Sequence, residues 1–131
     1  VALCTTEPKS DAVDKWHEKC SARMISSTWA FTEFSSALSL KVRTNQITEK
    51  QSREAWIRFD ELCQSDIELL PIEGKTHYSA GILVIDSKSN LRAGDALHLA
   101  AAKQLKCKSL ATLDKILSKN ADRVKIKALL I

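Results

Sequence analysis

The chain has 131 residues, 44% of them hydrophobic and 27% charged, a size and apolar content that suit one compact domain rather than two. No apolar run reaches the roughly 18 residues of a membrane-spanning helix, which excludes a membrane partner of that kind, and nothing reads as a signal peptide. The formal charge is +4, from 20 basic and 16 acidic residues scattered along the chain, a balance that permits a polyanionic partner without demanding one.

Val1-Ala2-Leu3-Cys4 reads as part of an apolar element. Ser10 or Asp11 can cap a first helix that carries Ala12, Val13, Trp16 and Cys20 on its apolar side and ends near Lys19. A short strand is expected over 23–27, followed by a helix over 28–41 whose broad apolar face holds Ala30, Phe31, Phe34, Ala37 and Leu38. Thr48 with Gln51 forms a capping-box pattern ahead of Ala55, Trp56, Phe59, Leu62 and Cys63, which recur at helical spacing.

A strand over 67–70 stops at Pro71, and 76–85 is expected to be helical. Gly94 and Asp95 open a nearly all-apolar helix with Ala96, Leu97, Leu99, Ala100, Ala101, Ala102 and Leu105. Residues 109–112 suit a buried strand leading to a helix at Asp114, and 124–129 alternate like a terminal edge strand. Short strands alternating with longer helices favour an α/β layer architecture, in which ligands sit beyond the carboxyl ends of parallel strands.

Cys4, Cys20, Cys63 and Cys107 contain no CxxC pair, and no histidine is spaced for zinc. Separated thiols in a chain with enough apolar mass to fold unaided suit a reducing compartment, so cytoplasm is the expected location; two disulfides, in three pairings, stay open. Trp16, Trp29, Trp56 and Phe59 are explained by packing in a core or interface rather than by base stacking, and Cys107 by structure.

Three acids stand out. Asp95 and Asp114 occupy the strand-to-helix junctions where α/β sheets build active sites, although each also suits an N-cap. Glu33 lies inside a helix with Trp29, Ala30 and Ala37 as its neighbours one turn away, where capping cannot explain it; an ion pair with Lys41 or Arg43 is the plain alternative. If the three converged, their mutual repulsion would call for a cation. Mg2+ or Mn2+ would suit the oxygen donors, orient a water and offset charge on a scissile phosphate.

The segments Ser26-Ser27-Thr28-Trp29-Ala30-Phe31-Thr32-Glu33-Phe34, Leu91-Arg92-Ala93-Gly94-Asp95-Ala96-Leu97-His98-Leu99-Ala100-Ala101 and Leu110-Ala111-Thr112-Leu113-Asp114 resemble the PIN-domain family, and more narrowly its ribonuclease toxins of VapC-type toxin–antitoxin systems. Val1-Ala2-Leu3-Cys4 through Glu7-Pro8 resembles the family's first helix and the turn after it. The resemblance implies a three-layer α/β/α fold with a mainly parallel sheet over 1–131, with Glu33, Asp95 and Asp114 as catalytic and metal-holding acids. Thr112 matches a polar residue beside the last acid. Arg92 is placed to meet the acids or an RNA phosphate, or to pair with Asp95; His98, one turn after Asp95, suits local packing better than catalysis.

The family carries a further aspartate on a strand upstream of the position matching Val1. The simpler expectation is an N-terminal truncation, because loss of a central strand would strip its neighbours of hydrogen bonds. The resemblance further implies an RNA substrate, an inhibitory antitoxin protein and a homodimer. Two alternatives remain: a PIN nuclease of general RNA processing, and an inactive PIN module that binds RNA or protein.

Overall fold

The computed structural model describes residues 3–131. Six helices and four strands alternate among them: α1 (Ser10–Lys19), β1 (Met24–Ser27), α2 (Trp29–Arg43), α3 (Glu49–Ser65), β2 (Ile67–Leu70), α4 (Gly74–Ile85), α5 (Ala93–Gln104), β3 (Ser109–Thr112), α6 (Lys115–Arg123) and β4 (Lys127–Leu130), with a single 3₁₀ turn at Ser87–Ser89. This alternation and the parallel strand pairing are the α/β pattern of a PIN-like fold. The chain divides into two compact units, Val1–Leu70 and Pro71–Ile131.

In the first unit β1 and β2 pair in parallel, with Met24 opposite Ile67 and Ser27 opposite Leu70. The core is built from Cys4, Phe34, Leu38 and Ala55, flanked by Leu3, Ile47, Phe59 and Leu62. Rings lock α2 to α3: Phe34 stacks on Phe59 at 4.2 Å, and Phe31 meets Phe59 edge-on at 5.3 Å. The capping box forms as expected, with Thr48 Oγ1 accepting from the Gln51 amide at 3.2 Å and Gln51 Oε1 accepting from the Thr48 amide at 2.9 Å.

In the second unit β3 and β4 pair in parallel, with Ser109 opposite Lys127 and Thr112 opposite Leu130. α5 is the buried element. Ala96, Leu97, Leu99, Ala100, Ala101 and Ala102 are all out of solvent, which an Ala-rich helix permits because small side chains let neighbouring helices approach. α4 packs on it and buries Thr76 and Ala80, and α6 buries Leu117, Asn120 and Ala121.

Several expectations are corrected in detail. The terminal strand begins at Lys127, not at residue 124: Val124 closes α6, Lys125 takes φ 64°, and the Ile126 amide donates to the Ala121 carbonyl at 3.0 Å. The strand alternation at 124–126 was therefore the closing turn of a helix. Neither Ser10 nor Asp11 caps α1; Lys9 holds that position, and the Ser10 hydroxyl accepts from the Glu7 amide at 2.9 Å while donating to the Thr5 carbonyl. Trp56 is 41% exposed and lies at the rim, held by Phe31 and by an Nε1–H bond to Ser35 Oγ at 3.2 Å. Leu3 and Cys4 lie in a turn, and Val1 and Ala2, matched above to a first helix, lie outside the described residues.

Candidate active site

In the first unit the carboxyl end of β1 runs into α2. Ser27 ends the strand fully buried, the Thr28 amide donates to the Leu70 carbonyl at 3.0 Å, and α2 begins at Trp29 without a side-chain cap. Glu33 follows one turn later on an exposed part of the helix. Lys41, the lysine weighed as its partner, pairs with Glu7 at 3.1 Å. Ser27 Oγ and Trp29 Nε1, both close in sequence to Glu33, are buried polar atoms with no hydrogen-bond partner. Such atoms carry a desolvation cost and are uncommon in folded proteins.

In the second unit Asp114 stands between β3 and α6. It is exposed and caps the helix, its Oδ1 accepting from the amides of Ile116 at 2.6 Å and Leu117 at 2.9 Å. The N-cap role expected of aspartate is thus real here, but it uses one oxygen; Oδ2 takes no part in the cap. Thr112 Oγ1 accepts from the Asp114 amide at 3.0 Å and so fixes the turn that presents the carboxylate. Its observed bond is to backbone rather than to a carboxylate.

Asp95 differs. α5 starts at Ala93 with Arg92 as N-cap, so Asp95 is the third residue of the helix and not its cap. It is half-buried, beside the buried Ala96 and Leu97. The N-terminal end of a helix dipole stabilises a carboxylate in this position by about 0.3–1 kcal/mol. His98 lies one turn on, also half-buried, and Arg92 is exposed.

The structure thus places each predicted acid: Glu33 in the first unit, Asp95 and Asp114 in the second. Among the described residues no group of three or more His, Cys, Asp or Glu side chains is gathered to hold a metal ion. The donor chemistry is carboxylate oxygen, which suits a hard cation such as Mg2+ or Mn2+. Thiolate ligation is disfavoured, since burial pushes the Cys4, Cys63 and Cys107 thiols above their usual range. All four cysteines are free.

One supporting residue escaped the sequence reading. Asn120, buried in α6, donates from Nδ2 to the carbonyls of Ser89 and Ile116, each at 2.9 Å, while its Oδ1 accepts from Arg123 at 3.2 Å. Ser89 precedes α5 closely, so this side chain ties the helix that Asp114 caps to the segment that leads to Asp95. A polar residue within the otherwise apolar face of Leu117 and Ala121 was the signal available for it.

The family model described as PIN domain matches residues 1–123, and so runs across both units. No curated protein matches the chain.

Proposed function

The chain belongs to the PIN-domain family, and from that premise we propose that it is a metal-dependent endoribonuclease, a toxin of the VapC type that hydrolyses RNA phosphodiester bonds and is silenced by an antitoxin protein. Glu33, Asp95 and Asp114 are the proposed ligands of Mg2+ or Mn2+. The observation that carries the reading is the placement of Asp114 and Asp95 in the second unit: one directly after a parallel strand, the other in the first turn of the buried helix. An α/β fold presents its chemistry where strands turn into helices; Asp114 occupies such a junction, whereas α5 follows α4 and the 3₁₀ turn.

When bound, the cation would lower the pKa of an attacking water and offset charge on the phosphate. The chain's own residues do the positioning. Thr112 holds the Asp114 turn, the α6 amides hold one Asp114 oxygen, and the first turn of α5 carries Asp95. The resemblance adds a further carboxylate on an upstream strand. A homodimer in the cytoplasm completes the proposed assembly; among the described residues no helix is long and apolar enough to cross a membrane.

The test is RNA cleavage with Mg2+ or Mn2+ and then with chelator, using protein that includes any residues encoded upstream of Val1. Asp95→Asn should abolish most cleavage while its circular dichroism matches the parent. Cleavage that persists in chelator, or an active and equally folded Asp95→Asn protein, overturns the proposal. RNA binding without cleavage would favour the inactive PIN module instead.

A further inference from the structure

Charge is divided unequally between the units: residues 71–131 hold 11 lysines and arginines against 5 aspartates and glutamates, whereas residues 1–70 hold 9 against 11. Within the basic unit the lysines gather at one place. β3 and β4 are parallel and in register from Ser109 and Lys127, so both begin at the same end of their sheet, where α5 and α6 have just finished. Lys103 lies in the last turn of α5, Lys106 and Lys108 in the turn before β3, Lys125 between α6 and β4, and Lys127 at the start of β4. All five are exposed, and among the described residues no ion pair engages any of them. Asp122, the acid of this neighbourhood, has its Oδ1 bonded to the Ala128 amide at 3.3 Å.

The backbone adds a second observation. Among the described residues, four other than glycine take positive φ: Asn45, Asn90, Lys106 and Lys125. Asparagine tolerates this region, whereas a lysine there bears a steric cost. Both lysines close helices by the same pattern, with the following amide bonded back to Ala102 and Ala121 respectively, at positions where glycine or asparagine is the low-cost choice. The attraction of a cation to a helix carboxyl end accounts for one lysine near each helix. It does not account for Lys108, in the bend before β3, or for Lys127, which begins β4.

We propose that the end of the sheet from which β3 and β4 start is a phosphate-contact surface that holds the RNA backbone away from the cleavage centre. The identity of the polyanion rests on the ribonuclease reading above. Lys108 stands six residues before Asp114, at most about 20 Å along the chain, and Lys103 stands eight residues after Asp95 along α5, about 12 Å. The surface therefore engages RNA long enough to reach both places. Of the unit's exposed large apolar side chains, Leu113, Ile116 and Leu130 are toward the carboxyl ends of the strands, and the others, Tyr78, Ile82, Val84 and Ile85, are on α4. A protein interface requires buried apolar anchors; a phosphate backbone requires none.

The test measures binding of a fluorescent 20-nucleotide single-stranded RNA by anisotropy, in EDTA so that no metal-dependent cleavage intervenes, across a salt series. The variant combines Lys106→Asn, Lys108→Gln, Lys125→Asn and Lys127→Gln. The asparagines suit the left-handed backbone, so the melting temperature should hold or rise, while affinity at low salt falls by about tenfold or more and the slope of log affinity against log salt becomes shallower by up to about 3. Lys108→Gln with Lys127→Gln alone, neither at positive φ, should give about half that slope change.

Unchanged RNA binding overturns the proposal. So does an equal loss from Lys15→Gln, Lys19→Gln, Lys50→Gln and Arg53→Gln, which would make the effect one of net charge. Loss of binding to polyglutamate with RNA binding intact would assign the surface to an acidic protein and also overturn it. Failure of metal-dependent cleavage would sink the nuclease reading and leave this measurement readable.

Discussion

Asp114 is asked to do two things, and substitution can separate them. Its Oδ1 caps α6 through bonds of 2.6 and 2.9 Å to the Ile116 and Leu117 amides, and the proposed function also makes the carboxylate a metal ligand. Asp114→Ala removes both roles. Loss of a cap of this kind costs about 1 kcal/mol, within a range of about 0.5–2. An unfolding entropy of about 2.1 cal/mol/K per residue gives about 0.28 kcal/mol/K for a chain of this length, so the melting temperature should fall by about 4 °C.

Asp114→Asn keeps a capping oxygen and removes the charge. Because Asp114 is exposed, the lost interaction with the helix dipole lies near the low end of its range, about 0.3 kcal/mol, or about 1 °C. Cleavage should nevertheless fall by at least about 100-fold in both proteins, equivalent to about 2.7 kcal/mol of transition-state stabilisation. Thermal melts and initial cleavage rates on the same preparations are the assay. An Asp114→Asn protein that cleaves like the parent, beside a destabilised Asp114→Ala protein, would make Asp114 a cap and nothing more.

Asn120→Ala leaves the buried Ser89 carbonyl without its donor and should cost about 1–3 kcal/mol in a denaturant melt; a loss under about 0.5 kcal/mol would mean that the tie between α6 and the segment before α5 carries no weight. Burial raises the Cys4 thiol above 9.0 in the folded chain. Below that pH both folded and unfolded thiols stay protonated, but as pH rises past it the unfolded thiol ionises first. The stability margin of the parent over Cys4→Ala should therefore be constant up to about pH 9 and shrink above it; a margin that is flat to pH 10.5 would contradict the assigned burial.

Much of the fold was legible because local chemistry and tertiary environment agree. Thr48 and Gln51 are spaced for a reciprocal cap and form it, and 67–70 is a strand because Pro71 ends an apolar run. Alternation misled at 124–126, where a helix closing through a left-handed lysine imitates a strand start; nothing local to Val124 or Ile126 distinguishes the two. Asp114 and Asp95 looked alike in sequence, each an aspartate at a helix start. The start of each helix separates them: Asp114 is the N-cap of α6, whereas Arg92 takes that position in α5 and leaves Asp95 third in the helix. The Asn120 network was hidden for a different reason: its partner Ser89 lies 31 residues away, and a polar residue on a helix does not reveal which distant carbonyl it will meet.

Glu33, Asp95 and Asp114 are proposed to serve one cation. Titration of Mn2+ followed by electron paramagnetic resonance tests it directly, because protein-bound and free Mn2+ differ in signal and no RNA is needed. The expected result is a bound population that each of Glu33→Gln, Asp95→Asn and Asp114→Asn weakens by at least about tenfold. Mn2+ affinity that is lost with Asp95→Asn or Asp114→Asn and untouched by Glu33→Gln would contradict it, since the acids would then not share a metal.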